Sequence, residues 1–341
     1  MLAVPRISLD DFLLDECAGN SAASEDLVAL IKGAASVCGA IAARIGRAAL
    51  DDPAGAERDV LRAVPAFADA AVLYSAAPAD GTDGALAIRP ASRSGDHIVL
   101  FKLLDGRSNL VLNAACGTIF SFLPAPRQAR GEASDLLQSG SRQICAGYAI
   151  YGPATMFVLT LGAGVHGFTL DPATGAFVLT HPALQIPAGT GEFAINGSDS
   201  RVWEPPIRRY VEDYLAGQNT SRRDEFSMRG VSSLVSETHR ILLRGGVLLD
   251  PRSVGEPAAQ RTSLLFAANP IAFLIGQAGG AASTGRERVL EIVPERVDQC
   301  IPFVFGAQTD VGLIEACHRE QSPEVFDAPL FGSRGLFRAS A

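Results

Sequence analysis

The segment from Lys102 to Asn109 places an ammonium, a carboxylate and a guanidinium close together in the chain. Lys102, Asp105 and Arg107 supply these charges, and Gly106 favours a tight turn between them. Two interpretations of this turn stay open. The two cations bind a phosphate, since both offer several N–H donors, or they pair with Asp105 in a small ion-pair network.

Other residue types that carry chemistry are scattered. The six cysteines include no C-x-x-C pair, and the five histidines include no H-x-x-H or H-E-x-x-H pattern, which argues against a zinc site. Cys38 and Cys145 lie in apolar stretches and are predicted to be core thiols. His166 and His239 are predicted to be scaffold residues. The glycine-rich stretches lack the strand and helix that flank a dinucleotide-binding loop.

Helices and short strands must position these residues. Helices are predicted over 7–16, 24–48 and 57–64, with Ser24 as an N-cap. Glycine-rich turns then separate short strands at 71–74, 97–104, 110–122, 146–151, 155–161, 167–171 and 176–180. Their close spacing predicts an antiparallel meander. In the second half, helices are predicted over 205–216, 234–244 and 270–277, and a strand begins at 247.

Composition and charge exclude several classes of protein. The chain has 341 residues, of which 48% are apolar, enough for two ordered domains. The formal net charge is −8, and no run of Lys or Arg forms a basic stripe. The sequence therefore argues against binding to nucleic acid or to a membrane. No secretory leader pattern opens the chain, so a cytoplasmic location is predicted.

Several segments match one protein family in order and at the right intervals. They read LDGRSN at 104–109, AGYAIYGPATM at 146–156, AINGSDSRVWEPPIRR at 194–209, THRILLRGG at 238–246 and ANPIAFLIGQAGGA at 268–281. Through them the chain resembles the class I fructose-1,6-bisphosphatases from about residue 7 to about residue 338. The resemblance implies an α/β (α+β layered) sugar-phosphatase fold, a five-layered α-β-α-β-α sandwich. It also implies a homotetramer with an N-terminal domain at 1–195 and a C-terminal domain at 196–341.

The chemistry implied by the resemblance is hydrolysis of the 1-phosphate of fructose 1,6-bisphosphate with Mg²⁺. Five carboxylates from three segments bind the metals in that family. Here Ser75, Ala76 and Ala77 stand where an adjacent Glu pair is expected, Lys102 replaces one Asp, and Ala267 replaces another Glu. Asp105 alone remains as a metal ligand. A shifted alignment around 75–77 is the alternative, with Asp80, Asp83 or Asp96 as ligands.

The resemblance also implies a sugar-phosphate site. The phosphate cradle of the turn corresponds to Gly106, Arg107 and Ser108, with Lys102 and Asp105 beside it. Asn196, Arg229 and Arg261 match the residues that read the distal phosphate, Arg229 from a neighbouring subunit. The tyrosines of the family are replaced, by Gly230 and Asp250 among others.

Two functions are therefore expected to compete. One is a fructose-1,6-bisphosphatase of gluconeogenesis or the Calvin cycle. The other is a catalytically lapsed homologue that binds a sugar phosphate or assembles with an active paralogue as a regulatory subunit. Hydrolysis of a different phosphate ester is a third, weaker reading.

Overall fold

The computed structural model describes residues 6–19, 24–47, 72–78, 86–90, 97–110, 112–126, 133–188, 191–215, 227–230, 233–252 and 262–320. The predicted helix over 57–64, Asp80, Asp83, Asp96 and Arg261 lie outside these residues. The bounds and labels below refer to the described part of the chain.

Short apolar strands joined by glycine-rich turns build an eight-stranded sheet in the order β2-β1-β3-β4-β5-β6-β7-β8. Its strands are β1 Val72–Pro78, β2 Leu86–Pro90, β3 His97–Asp105, β4 Cys116–Pro124, β5 Cys145–Tyr151, β6 Thr155–Thr160, β7 His166–Leu170 and β8 Phe177–His181. From β3 to β8 each strand pairs with the next in antiparallel fashion, so the predicted meander is confirmed. β1 runs parallel to β3.

One predicted strand begins too early. The strand over 110–122 starts only at Cys116, because a 3₁₀ turn, Arg107–Leu110, precedes it. Asn113 then adopts a left-handed conformation with φ of 53°, which no strand accommodates. The Asn109 side chain donates to the Ala115 carbonyl oxygen at 2.7 Å and closes this turn.

Two helices cover one face of the first sheet, α1 Leu9–Gly19 and α2 Glu25–Ile45. Ser24 caps α2 as predicted, since its side chain accepts a hydrogen bond from Leu27 N at 3.2 Å. The apolar face of α2 packs with the sheet side chains that point the same way, including Phe120 and Phe157. This cluster forms the first core.

The second sheet has the order β10-β9-β11-β15-β13. Its strands are β9 Glu192–Ile195, β10 Ser227–Arg229, β11 Val247–Asp250, β13 Gly280–Ser283 and β15 Phe303–Ala307, and a separate pair is formed by β12 Thr262–Ser263 and β14 Cys300–Ile301. The helices of this half are α3 Pro205–Leu215, α4 Leu234–Arg244, α5 Asn269–Gln277 and α6 Gln308–Glu320. A π-helical turn, Leu264–Ala268, leads directly into α5.

The packing of these helices gives five layers. α4 and α5 lie between the two sheets, where Val235 and Ile271 share one apolar cluster with Tyr148 and Phe305. α3 and α6 pack on the outer face of the second sheet around Trp203 and other apolar residues. With α1 and α2 on the opposite outer face, the predicted α-β-α-β-α sandwich is confirmed.

The first strand of the second sheet, β9, precedes the domain boundary predicted after residue 195. That boundary stays a prediction.

By length and composition α2 is apolar enough to cross a membrane, and 44% of its most apolar window is buried inside the molecule. A buried core helix of a soluble protein meets the same criterion. Leu27, Ile31 and Cys38 of α2 contribute to the first core.

Candidate functional site

The charged turn after β3 forms an ion pair. Lys102 Nζ lies 2.5 Å from Asp105 Oδ1 and donates a hydrogen bond to it. The Asp105 side chain is buried, whereas that of Lys102 is 27% exposed. The ion-pair interpretation of Lys102 is thus observed, and its ammonium still reaches the surface.

The second carboxylate oxygen of Asp105 is also bonded. Val235 N, in the first turn of α4, donates to Asp105 Oδ2 at 3.0 Å. A carboxylate is favourable there because the first N–H groups of a helix lack intrahelical partners. Ser233 caps the same helix by accepting from Ser236 N at 3.0 Å. Asp105 therefore links the end of β3 to α4, over 130 residues of sequence.

Gly106 is required by this close approach. Its φ is 73°, a conformation that favours glycine, and a Cβ placed there would lie 2.6 Å from Ser233 Cβ. Arg107 and Ser108 follow in the 3₁₀ turn and are exposed. The cradle residues predicted from the resemblance therefore lie together, against the first turn of α4.

The segments predicted to supply metal ligands also converge here. Ala76 of β1 is the backbone partner of Lys102 in β3, in the parallel pairing. The π-helical turn Leu264–Ala268 contacts β3 and β4, and its Ala267 side chain is fully buried in the core between the sheets. The residues expected to align with the metal ligands thus meet at the end of β3.

These residues do not fit a Mg²⁺ site. Mg²⁺ requires several oxygen ligands in near-octahedral arrangement. Both oxygens of Asp105 are bonded to N–H groups, the Lys102 ammonium lies against one of them, and Ala267 offers a methyl group. Among the described residues, no group of three or more His, Cys, Asp or Glu is placed to hold a metal ion.

Asn196 follows β9 and caps the 3₁₀ turn Gly197–Asp199. Its side-chain oxygen accepts from Ser198 N at 3.2 Å and from Ser198 Oγ at 2.7 Å, and its amide donates to Asp199 Oδ2 at 2.7 Å. Asp250, at the position of a lost tyrosine, accepts a hydrogen bond from Thr262 at 2.6 Å.

Arg229 lies in β10 and donates to Glu192 Oε1 at 3.1 Å. Arg240 and Arg244 of α4 donate to the same carboxylate. Sequence analysis did not single out Glu192, because one acidic residue at the start of a four-residue strand carries no signal of its own. Only the packing of β9 beside β10 and α4 reveals the cluster.

The residues predicted to be scaffold have structural partners. His239 Nδ1 and Tyr148 Oη lie 2.9 Å apart, and burial, with a smaller contribution from His181, lowers the pKa of His239 to about 4. Burial raises the pKa of the Cys38 thiol to about 12, and it raises that of Cys145 as well. Neither thiol is therefore activated as a nucleophile.

Comparison with known proteins gives the same assignment along the chain. The N-terminal domain of fructose-1-6-bisphosphatase matches residues 68–182, and its C-terminal domain matches residues 186–319. The class 1 fructose-1,6-bisphosphatase of Rhodospirillum rubrum is 41% identical over 99% of this chain and all of its own length. Fructose-1,6-bisphosphatase class 1 3 of Methylibium petroleiphilum is 45% identical, over 97% of this chain and 98% of that protein.

A solved structure agrees with these relatives. The holo form of Leishmania major fructose-1,6-bisphosphatase superposes with a TM-score of 0.80 at 27% identity, covering 92% of this chain and 99% of that one. Since both domains match and the relatives are similar over nearly their full length, the chain belongs to the class I fructose-1,6-bisphosphatase family.

Proposed function

We propose that this chain binds fructose 1,6-bisphosphate or a related sugar phosphate without hydrolysing it by the metal-dependent route of its family. One observation carries this conclusion: Lys102 and the N-terminus of α4 occupy both oxygens of Asp105, the one remaining metal carboxylate. The family as a whole is generally metal-dependent. An ammonium at this position favours a phosphate and disfavours a divalent cation.

Lys102 supplies one positive charge where the family uses divalent metal ions. It stabilises a bound phosphate but does not lower the pKa of a water molecule as a metal does. Each 1.4 kcal/mol of lost transition-state stabilisation costs about tenfold in rate. Loss of several kcal/mol thus reduces hydrolysis on the order of a thousandfold or more. Asn196, Arg229 and Arg261 are proposed to read the distal phosphate.

A second candidate function is hydrolysis of fructose 1,6-bisphosphate to fructose 6-phosphate and phosphate, in gluconeogenesis or the Calvin cycle. Identities of 41–45% over nearly the whole chain favour it, because the relatives concerned are named fructose-1,6-bisphosphatases. Hydrolysis would then need a ligand set different from that of the family.

Phosphate release separates the two functions. The purified protein is incubated with fructose 1,6-bisphosphate and either Mg²⁺ or Mn²⁺, with and without EDTA. We expect no EDTA-sensitive release above the no-enzyme control. Turnover comparable to that of the R. rubrum relative, abolished by EDTA, would overturn the proposed function and establish the second one.

Calorimetry tests the binding itself. We expect fructose 1,6-bisphosphate to bind in the presence of EDTA, and Lys102→Met to weaken it about tenfold by removing one charged donor. Lys32→Met is the matched control, because Lys32 is a half-exposed lysine of α2 paired with Asp10 at 3.3 Å. Absence of heat and of a thermal shift with the wild-type protein would contradict sugar-phosphate binding.

Assembly is the remaining part of the proposal. The family is generally oligomeric, and a homotetramer, or a complex with an active paralogue, is the proposed form of this chain. Light scattering of the purified protein gives the number of subunits directly. A monomer at micromolar concentration would contradict the homotetramer.

A further inference from the structure

One carboxylate, Glu192, gathers three arginines at the edge of the second sheet. It opens β9, next to the edge strand β10 that carries Arg229. Arg229 donates to Oε1 at 3.1 Å, Arg244 donates to the same oxygen from both Nε and Nη2, and Arg240 donates to Oε2 at 3.1 Å. Strand and helix residues far apart in sequence are thus held around one group.

The inner part of this cluster is a rigid support. Glu192, Glu237 and Arg240 are largely buried, and Arg240 also bonds to Glu237 at 2.8 Å and to the Gly245 carbonyl oxygen at 3.2 Å. Gly246 packs so closely that a Cβ there would lie 2.1 Å from the Glu192 carbonyl oxygen. The position of the Glu192 carboxylate is therefore fixed by packing on two sides.

The outer part of the cluster carries the surplus of charge. Three guanidiniums face two carboxylates, which leaves one net positive charge on an otherwise acidic protein. Arg229 is 46% exposed and Arg244 is 63% exposed. Because both contact the same oxygen, their guanidiniums are close enough for one phosphate group to contact both. Without Glu192, the like charges of the two arginines would separate them.

We infer that Arg244 is a phosphate-binding residue alongside Arg229, and that Glu192 is the positioning residue that holds the pair together. The ligand is the dianionic phosphate of a sugar phosphate, whose oxygens match paired guanidinium donors. This inference rests on the proposed function for the sugar, but the affinity of the arginine pair for phosphate is independent of hydrolysis.

Titration of inorganic phosphate and of fructose 1,6-bisphosphate, followed by calorimetry, tests the pair. We expect Arg244→Ala and Arg229→Ala each to weaken binding of both ligands about tenfold. Arg288→Ala is the matched control, since Arg288 is an exposed arginine 3.8 Å from Glu291, and it should change neither affinity. Equal affinities for Arg244→Ala and Arg288→Ala, or no phosphate binding by the wild type, would overturn the inference.

The positioning role of Glu192 has its own readout. Glu192→Gln should weaken phosphate binding in the wild-type background but have no further effect when Arg229 and Arg244 are both alanine. A merely structural role lowers the unfolding midpoint but does not produce this dependence on the two arginines. Unchanged phosphate affinity in Glu192→Gln would overturn the positioning role. Failure of the proposed function looks different: fructose 1,6-bisphosphate would bind no tighter than inorganic phosphate, while the effect of Arg244→Ala on phosphate remained.

Discussion

At the scale of single residues, Lys102 changes what Asp105 does. An Asp flanked by other carboxylates binds cations, whereas Asp105 beside Lys102 joins β3 to the first turn of α4. The ion pair was one of two readings open from the sequence, because the two residues are three apart. The bond from Val235 N was not foreseeable, since it joins positions 130 residues apart. Local spacing predicts local partners only.

Asp105→Asn is predicted to destabilise the protein by about 1 to 3 kcal/mol, because it leaves the Lys102 ammonium without its charged acceptor. Urea unfolding at pH 7 measures the change. Asp298→Asn is the control: Asp298 also pairs with a cation, Arg296, but its side chain is 66% exposed, so its loss should stay within about 0.5 kcal/mol. Equal free energies of unfolding for the two variants would show that Asp105 has no clamping role.

The double variant Lys102→Asp with Ala267→Glu is predicted to remain inactive toward fructose 1,6-bisphosphate with Mg²⁺. It adds two carboxylates, but positions 75–77 of β1 still carry Ser, Ala and Ala, so the site stays short of oxygen ligands. Phosphate release is the measurement. EDTA-sensitive turnover by this variant would show that only two ligands separate the chain from an active enzyme.

At the scale of elements, periodicity and glycine-rich turns were sufficient for the meander and for helices such as α2 and α4. They were not sufficient for β9, whose four residues are too few to show alternation. The helix α6, Gln308–Glu320, was also missed, because its buried stripe is narrow and includes the polar residues Asp310 and His318. Such elements are defined by the partners they pack against.

Buried polar contacts of this kind hold α6 in place. His318 Nδ1 donates to the Ile314 carbonyl oxygen at 2.8 Å, and its Nε2 donates to Glu204 Oε1 at 3.1 Å, so both ring nitrogens carry protons. Arg286 donates to the other oxygen of Glu204 at 2.8 Å. Burial alone would raise the pKa of Glu204, but the hydrogen bonds from His318 and Arg286 outweigh it and lower the pKa.

A carboxyl group whose pKa is lowered by folding stabilises the protein above its unfolded pKa, and this contribution disappears as the pH falls through the folded pKa. Glu204→Gln is therefore predicted to be less stable than wild type at pH 7, by about 1 to 3 kcal/mol, with the gap narrowing below about pH 4.5. Urea unfolding across pH 3 to 7 measures it. Glu291→Gln, at a 69% exposed site, should show no such gap, and a gap in Glu204→Gln that was independent of pH would refute the charge-based account.

At the scale of the whole molecule, the likeness of five segments to one family predicted the layers, because segments in order and at fixed intervals constrain a complete fold. It could not reveal how strongly the halves depend on each other. The central core takes Ile119 and Tyr148 from the first sheet, and Val235 and Ile271 from helices of the second half. Neither half buries this surface alone.

The two halves are therefore predicted to unfold as one cooperative unit. Leu30→Ala in α2 removes a buried side chain from the outer core of the first half and should cost about 2 to 5 kcal/mol. Trp203, the single tryptophan, reports on the second half, where it packs with α3 and α6. If the central core couples the halves, the tryptophan fluorescence midpoint in urea will fall together with the far-ultraviolet circular dichroism midpoint, at one fixed protein concentration. A Trp203 transition that stayed at its wild-type midpoint would instead show two domains of independent stability, because the lost contacts would then be felt only on the side of the core where they were made.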